Sequence, residues 1–208
     1  AYAKTPLVQW DVRGLNCETD NDAQASENQP TRHPDHEGEP DTTGQHPAEA
    51  VAPQEPSPPP VDLGDVGSHQ ELTHRSVVGD GIELDHIPAY AAIRDRINAQ
   101  RRAEGLPELT AAERRRLRVR TTTLAVPADV HSQGRTWRGR GGRERQAGDA
   151  TDLRAASHQD LETYRDPLRE RGHSDEDVGR WEQAVHERNT EIGIYDDSLP
   201  PNLWEEEQ

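Results

Sequence analysis

Apolar positions are sparse and irregular over the first seventy residues and fall into clear periods afterwards. Residues 1–17 hold one short apolar run, Pro6-Leu7-Val8-Gln9-Trp10-Asp11-Val12, which predicts a strand. Residues 18–70 are rich in Pro, Asp, Glu, Gln and Thr and reach Pro56-Ser57-Pro58-Pro59-Pro60 near their end. Such a segment has too little apolar surface to offset the entropy of ordering it, and it predicts a disordered, semi-extended acidic linker. A globular unit is expected over residues 71–195.

Within that unit, residues 75–84 read as a strand broken at Gly79-Asp80-Gly81, as in a hairpin. Pro88 can stand in the first turn of a helix, and Tyr90, Ile93 and Ile97 give that helix an apolar face. Gly105-Leu106-Pro107 ends it. Thr110-Ala111-Ala112-Glu113 has the form of a capping box and starts an arginine-rich helix. Residues 119–126 are β-branched and predict a second strand, followed by a glycine-arginine loop over 134–142. Asp149 or Thr151 can cap a helix that places Leu153, Ala156, Leu161 and Tyr164 near one face. Ser174 caps a last helix carrying Val178, Trp181, Val185 and Ile192. Residues 196–208 read as an acidic tail.

Composition narrows the picture. Hydrophobic residues make up 30% of the 208, and Phe and Met are absent, so a single core using the whole chain is not expected. The one cysteine, Cys17, excludes an intrachain disulfide and a multi-cysteine zinc site. No apolar run approaches the length of a membrane helix, so no membrane insertion is expected. The first residues lack the basic-then-apolar pattern of a signal peptide; export would use another route or a longer polypeptide.

The net charge of −16 is divided along the chain. Residues 94–145 hold 14 arginines against 6 acids, whereas residues 18–71 hold 13 acids and one arginine. Arginine's planar fork matches phosphate oxygens better than a lysine ammonium does. The block therefore reads either as a phosphate-binding surface or as a solvated helix face. Between the glycines there is no helix face to decorate, which favours phosphate contacts for Arg135, Arg138, Arg140 and Arg143.

The most informative run is Gly81-Ile82-Glu83-Leu84-Asp85-His86-Ile87-Pro88. Neighbours on a strand point to opposite faces, but a turn at the strand end would let Asp85 and His86 reach one site. There Asp85 could hold a divalent ion while His86 takes a proton from water. A second strand then ends at a further histidine, in Leu124-Ala125-Val126-Pro127-Ala128-Asp129-Val130-His131. Two ligands, Asp85 and His131, leave most of the coordination sphere to water and phosphate. That suits Mg²⁺, and the imidazole also permits Zn²⁺, Mn²⁺ or Ni²⁺.

Asp-His-Ile-Pro after an apolar strand, followed by a strand, His131 and the loop Arg135-Thr136-Trp137-Arg138-Gly139-Arg140, resembles the HNH/endonuclease VII-type (ββα-metal) nuclease domains of bacterial polymorphic toxins. The resemblance covers residues 72–165. About 45 residues separate His86 from His131, filled by two helical patterns, and the Asn usual between the two histidines has no counterpart; Asn98 is not assigned that role. The resemblance implies an α+β fold, with a small ββα-metal core of a two-stranded hairpin plus helices, and with inserted and C-terminal helices. It implies a metal-dependent endonuclease acting on DNA, with RNA as the other substrate, and a cognate immunity protein. It also implies secretion by a specialised system as the C-terminal part of a larger effector, with action in the target-cell cytoplasm. In that reading His86 is the base, Asp85 and His131 hold the metal, and Arg135 and Arg138 clamp the phosphate. The alternative is a non-enzymatic nucleic-acid-binding or protein-interaction module built on the arginine block. Trp137 fits either base stacking or packing, and His158 either a third ligand or a helix surface.

Overall fold

The computed structural model describes residues 58–205; the strand expected within 1–17 and the linker over 18–57 lie outside the described residues. Strand β1 (Val66–Ser68) and helix α1 (His69–Arg75) come first, then β2 (Ile82–His86), α2 (Tyr90–Ala103), α3 (Ala111–Arg120) and β3 (Thr122–Pro127). Four helices follow: a single turn α4 (Ala128–His131), α5 (Gly142–Thr151), α6 (Leu153–Glu170) and α7 (Asp175–Glu191). Short 3₁₀ turns occupy Trp137–Gly139 and Pro201–Leu203. No helix among the described residues is long and apolar enough to cross a membrane.

The sheet is antiparallel and three-stranded in the order β1-β3-β2. This replaces the expected two-stranded hairpin. Residues 75–84 do not form a local hairpin: Arg75 closes α1, and β2 pairs instead with β3, with Asp85 opposite Leu124 and Glu83 opposite Val126. The helices α2 and α3 are the excursion between these paired strands. β1 and the buried Val61 fall inside the segment expected to be linker, so the folded unit begins before residue 71. Gly64 and Asp65 bond to both sides of Ala125, which fixes this leading segment on β3.

Local signals explain most boundaries. Thr110 and Glu113 form both bonds of the capping box, and Ser68, Asp152 and Ser174 cap α1, α6 and α7 through their side chains. Asp152 therefore takes the position expected of Asp149 or Thr151. Val119 and Arg120 finish α3 rather than opening β3; the strand starts at Thr122.

Alternation along the strands sets two faces. Ile87, Leu124 and Val126 pack on Leu161, Tyr164 and Leu168 of α6 and on Val178 and Val185 of α7. The opposite face carries Ala125, Ile82 and Leu84 against Val61 and Leu72. A separate core joins Ile93, Ile97, Leu109 and Leu117 to Leu199, Leu203 and Trp204. The last three lie in the expected acidic tail, so residues 196–205 are core-forming. Sparse apolar residues among acids here are anchors, each at most 4% exposed.

Candidate active site

Glu83 and Asp85 are two apart on β2 and so share a face. His131 ends α4, the single turn that follows β3 and folds back over β2, where Ala128 N–H donates to the carbonyl of Gly81 at 2.9 Å. This brings His131 Nε2 to 3.3 Å from Asp85 Oδ1, while its Nδ1 meets Oε2 of Glu83. From α6, the Tyr164 hydroxyl donates to Asp85 Oδ2 at 2.6 Å. Gly134 makes room for that hydroxyl: a Cβ there would stand 2.7 Å from the Tyr164 oxygen and 3.0 Å from the carbonyl of His131. The pair expected to act together, Asp85 and His131, is thus assembled from segments far apart in the chain.

Electrostatics follow from burial and partners. Burial opposes charge on Asp85, but hydrogen bonds from His131 and Tyr164 outweigh it and hold the carboxyl below its ordinary range. Burial likewise opposes the charged form of His131. The hydrogen bonds and charges of Asp85 and Glu83 overcome that opposition and push it up to about 9. Burial, then the Asp85 carboxylate, raises the Tyr164 phenol, so Tyr164 is a donor throughout the working pH range.

His86 is placed elsewhere. β2 stays regular through His86, and Asp85 and Ile87 face α6 and α7 while His86 faces the other way. Its Nε2 bonds the carbonyl of Arg118 at 2.9 Å, and its ring lies 4.7 Å from that of His69 and 6.0 Å from that of Tyr90. The expected turn that would bring Asp85 and His86 to one site does not occur, because the antiparallel ladder with β3 persists to His86. Burial holds the His86 imidazole below its ordinary range.

The arginines divide in the same way. Arg135 does not project as a phosphate clamp: its guanidinium lies 2.7 Å from Asp160 and 3.0 Å from Asp149, and it donates to the carbonyl of Ala156 at 3.1 Å. Arg145 closes the other side of Asp149 at 2.5 Å. Burial outweighs the opposing Arg135 charge and pushes Asp160 up to about 7. Arg138, Arg140 and Arg143 are exposed, and the first two lie over the ring of Trp137 at 4.1 and 5.2 Å. The helical arginines are largely occupied by backbone carbonyls: Arg96 by Asp197, Arg101 by Pro107, Arg114 by Leu109, Arg116 by Trp204, and Arg120 by Asn202 and Glu205. Arg96, Arg116 and Arg120 tie the C-terminal segment to α2 and α3. Asn98 is buried and accepts from Leu109 N–H at 2.9 Å, which is a packing role. His158 is exposed on α6.

Sequence reasoning passed over Glu83 and took Tyr164 only as part of an apolar face. The i, i+2 relation to Asp85 was a usable signal for Glu83; nothing local marked the Tyr164 hydroxyl. Among the described residues, no three His, Cys, Asp or Glu side chains converge as a complete metal cage.

No family model and no solved structure matches the chain. A stretch of 130 residues, 62% of the chain, is 39% identical to part of Deoxyribonuclease CdiA from Dickeya dadantii (strain 3937). The chain spans about 4% of that protein's length.

Proposed function

We propose that this chain carries a metal-dependent deoxyribonuclease toxin domain. The observation that carries the reading is the meeting of Asp85 Oδ1 and His131 Nε2 at 3.3 Å on a largely buried face of the sheet. The similarity to a protein named a deoxyribonuclease supports DNA as the substrate. Ligands at about 2.1 Å around a six-coordinate ion stand roughly 3 Å apart when adjacent, so these two donors fit one Mg²⁺ or Mn²⁺ ion. Asp85 and His131 would hold it, with water and substrate phosphate as the other ligands. Such an ion supplies a Lewis acid and a water of lowered pKa.

The chain's own residues do the rest. Tyr164 fixes the Asp85 carboxylate, and Gly134 lets it do so. The exposed Arg138, Arg140 and Arg143 would meet backbone phosphates, a contact that positions DNA without reading its sequence. His86 joins β2 to the end of α3 and is not the base in this arrangement. The antiparallel β2–β3 pair, with Asp85 on one strand and His131 beyond the other, favours an HNH-type relative over a binding module. In the non-enzymatic reading the helical arginines would have to be available for phosphate, and carbonyls occupy most of them. As a toxin, the domain would be delivered within a larger effector into the cytoplasm of a competitor, and the producing cell would need a cognate immunity protein.

Incubating the full chain with supercoiled plasmid tests this reading. Nicked and linear DNA should appear with Mg²⁺ and not with EDTA. Intact plasmid under both conditions overturns it.

A further inference from the structure

We infer that Glu83 is a positioning residue that aims His131 at the metal. The inference rests on the metal-dependent reading above and adds the group that orients its histidine. A neutral imidazole carries one N–H, and a carboxylate only accepts. Glu83 Oε2 contacts Nδ1, so the proton of neutral His131 belongs on Nδ1 and the lone pair on Nε2. That lone pair faces Asp85 Oδ1 at 3.3 Å. Two acceptors pointed at each other across this distance repel unless a cation lies between them, either a second imidazole proton or a metal ion.

The far ends of both ligands are tied. Tyr164 holds Oδ2 of Asp85, and Glu83 holds Nδ1 of His131, so Oδ1 and Nε2 are the atoms left to converge. Glu83 is suited to this by its place on the strand: it shares the face of Asp85, one pleat away and opposite Val126 in the ladder. Its side chain is 48% exposed, against 12% for Asp85. It therefore lies at the rim and acts through the ring rather than as a buried charge. A carboxylate on the second nitrogen of a ligating histidine fixes the ring and raises its basicity, and losing such a partner costs about 10–100-fold in metal affinity.

The test is Mn²⁺ titration of the full chain at one pH, read by the electron paramagnetic resonance of free Mn²⁺, with circular dichroism to verify the fold. Glu83→Ala should weaken Mn²⁺ binding by about 10–100-fold. Glu83→Gln keeps an oxygen that accepts from Nδ1–H and should recover part of that loss. The ordering parent, Gln, Ala is the expected result. Folded Glu83→Ala that binds Mn²⁺ within about threefold of the parent, short of the loss expected when a ligating histidine loses its carboxylate partner, overturns the role of Glu83 alone. A parent chain that takes up no Mn²⁺ overturns the metal reading and this inference with it, so the two failures are distinct.

Discussion

The Tyr164 hydroxyl donates a 2.6 Å hydrogen bond to Oδ2 of Asp85, joining α6 to β2 across 79 residues of sequence. Both partners are buried, Tyr164 at 2% and Asp85 at 9% exposure. Removing the hydroxyl leaves a buried carboxylate oxygen without its donor. Tyr164→Phe should lower unfolding free energy by about 1.5–3 kcal/mol, the range for a bond to a charged group. Chemical denaturation measures this. An unchanged midpoint and slope would show that the bond does not hold Asp85.

His86 offers a sharper choice. Its ring is packed against His69 and bonded to the Arg118 carbonyl, on the face opposite Asp85 and His131. His86→Ala should therefore lower the melting temperature, while the folded fraction keeps kcat within a few-fold of the parent. Loss of a true general base would cost about 10²–10⁴ in kcat without loss of stability. That second pattern would return His86 to the chemistry.

The C-terminal segment should be indispensable. Leu199, Leu203 and Trp204 are buried with α2 and α3, and Arg116 and Arg120 bond the carbonyls around Trp204. Trp204→Ala should cost about 3–5 kcal/mol. Truncation after Asp196 should leave a chain with no cooperative thermal transition. A truncated protein that melts like the parent would return this segment to the role of a tail.

Acid should weaken the fold through His69. Burial first, then the neighbouring His86 and Arg118, push its imidazole down to about 3. The folded-state value lies below the unfolded one, so the stability contribution is complete above pH 6.5 and is lost as pH falls from there toward 3. The slope from this group is at most about 1.4 kcal/mol per pH unit. His86 titrates in the same direction and adds to it. Urea midpoints should fall between pH 6.5 and 4.5, and His69→Leu should flatten that limb. Parallel profiles for parent and variant would remove His69 as the cause.

Much of this was legible in the sequence where the signal is local. The capping box at Thr110–Glu113, the cap at Ser174 and the apolar face of α6 are short-range patterns, and each specifies its own helix. The meeting of Asp85 and His131 was legible because each follows a strand-forming run, although His131 stands one helical turn beyond β3 rather than at its end. The orientation of His86 was not, since it depends on whether the ladder with β3 continues one residue further. The engagement of Arg135 was hidden for a similar reason: its partners Asp149 and Asp160 come from α5 and α6, and no spacing rule links them. The tail was misread because Leu199, Leu203 and Trp204 are too few to form a period, and acids surround them.

The central claim is that Asp85 and His131 serve one ion. Rates of plasmid nicking by Asp85→Ala, His131→Ala and the double variant, each verified as folded, test it most directly. Residues acting as a unit are non-additive, so either single change should remove nearly all activity, and the double variant should be no slower than the worse single one. Single variants that cut at the parent rate, or losses that multiply in the double variant, would contradict a shared metal site.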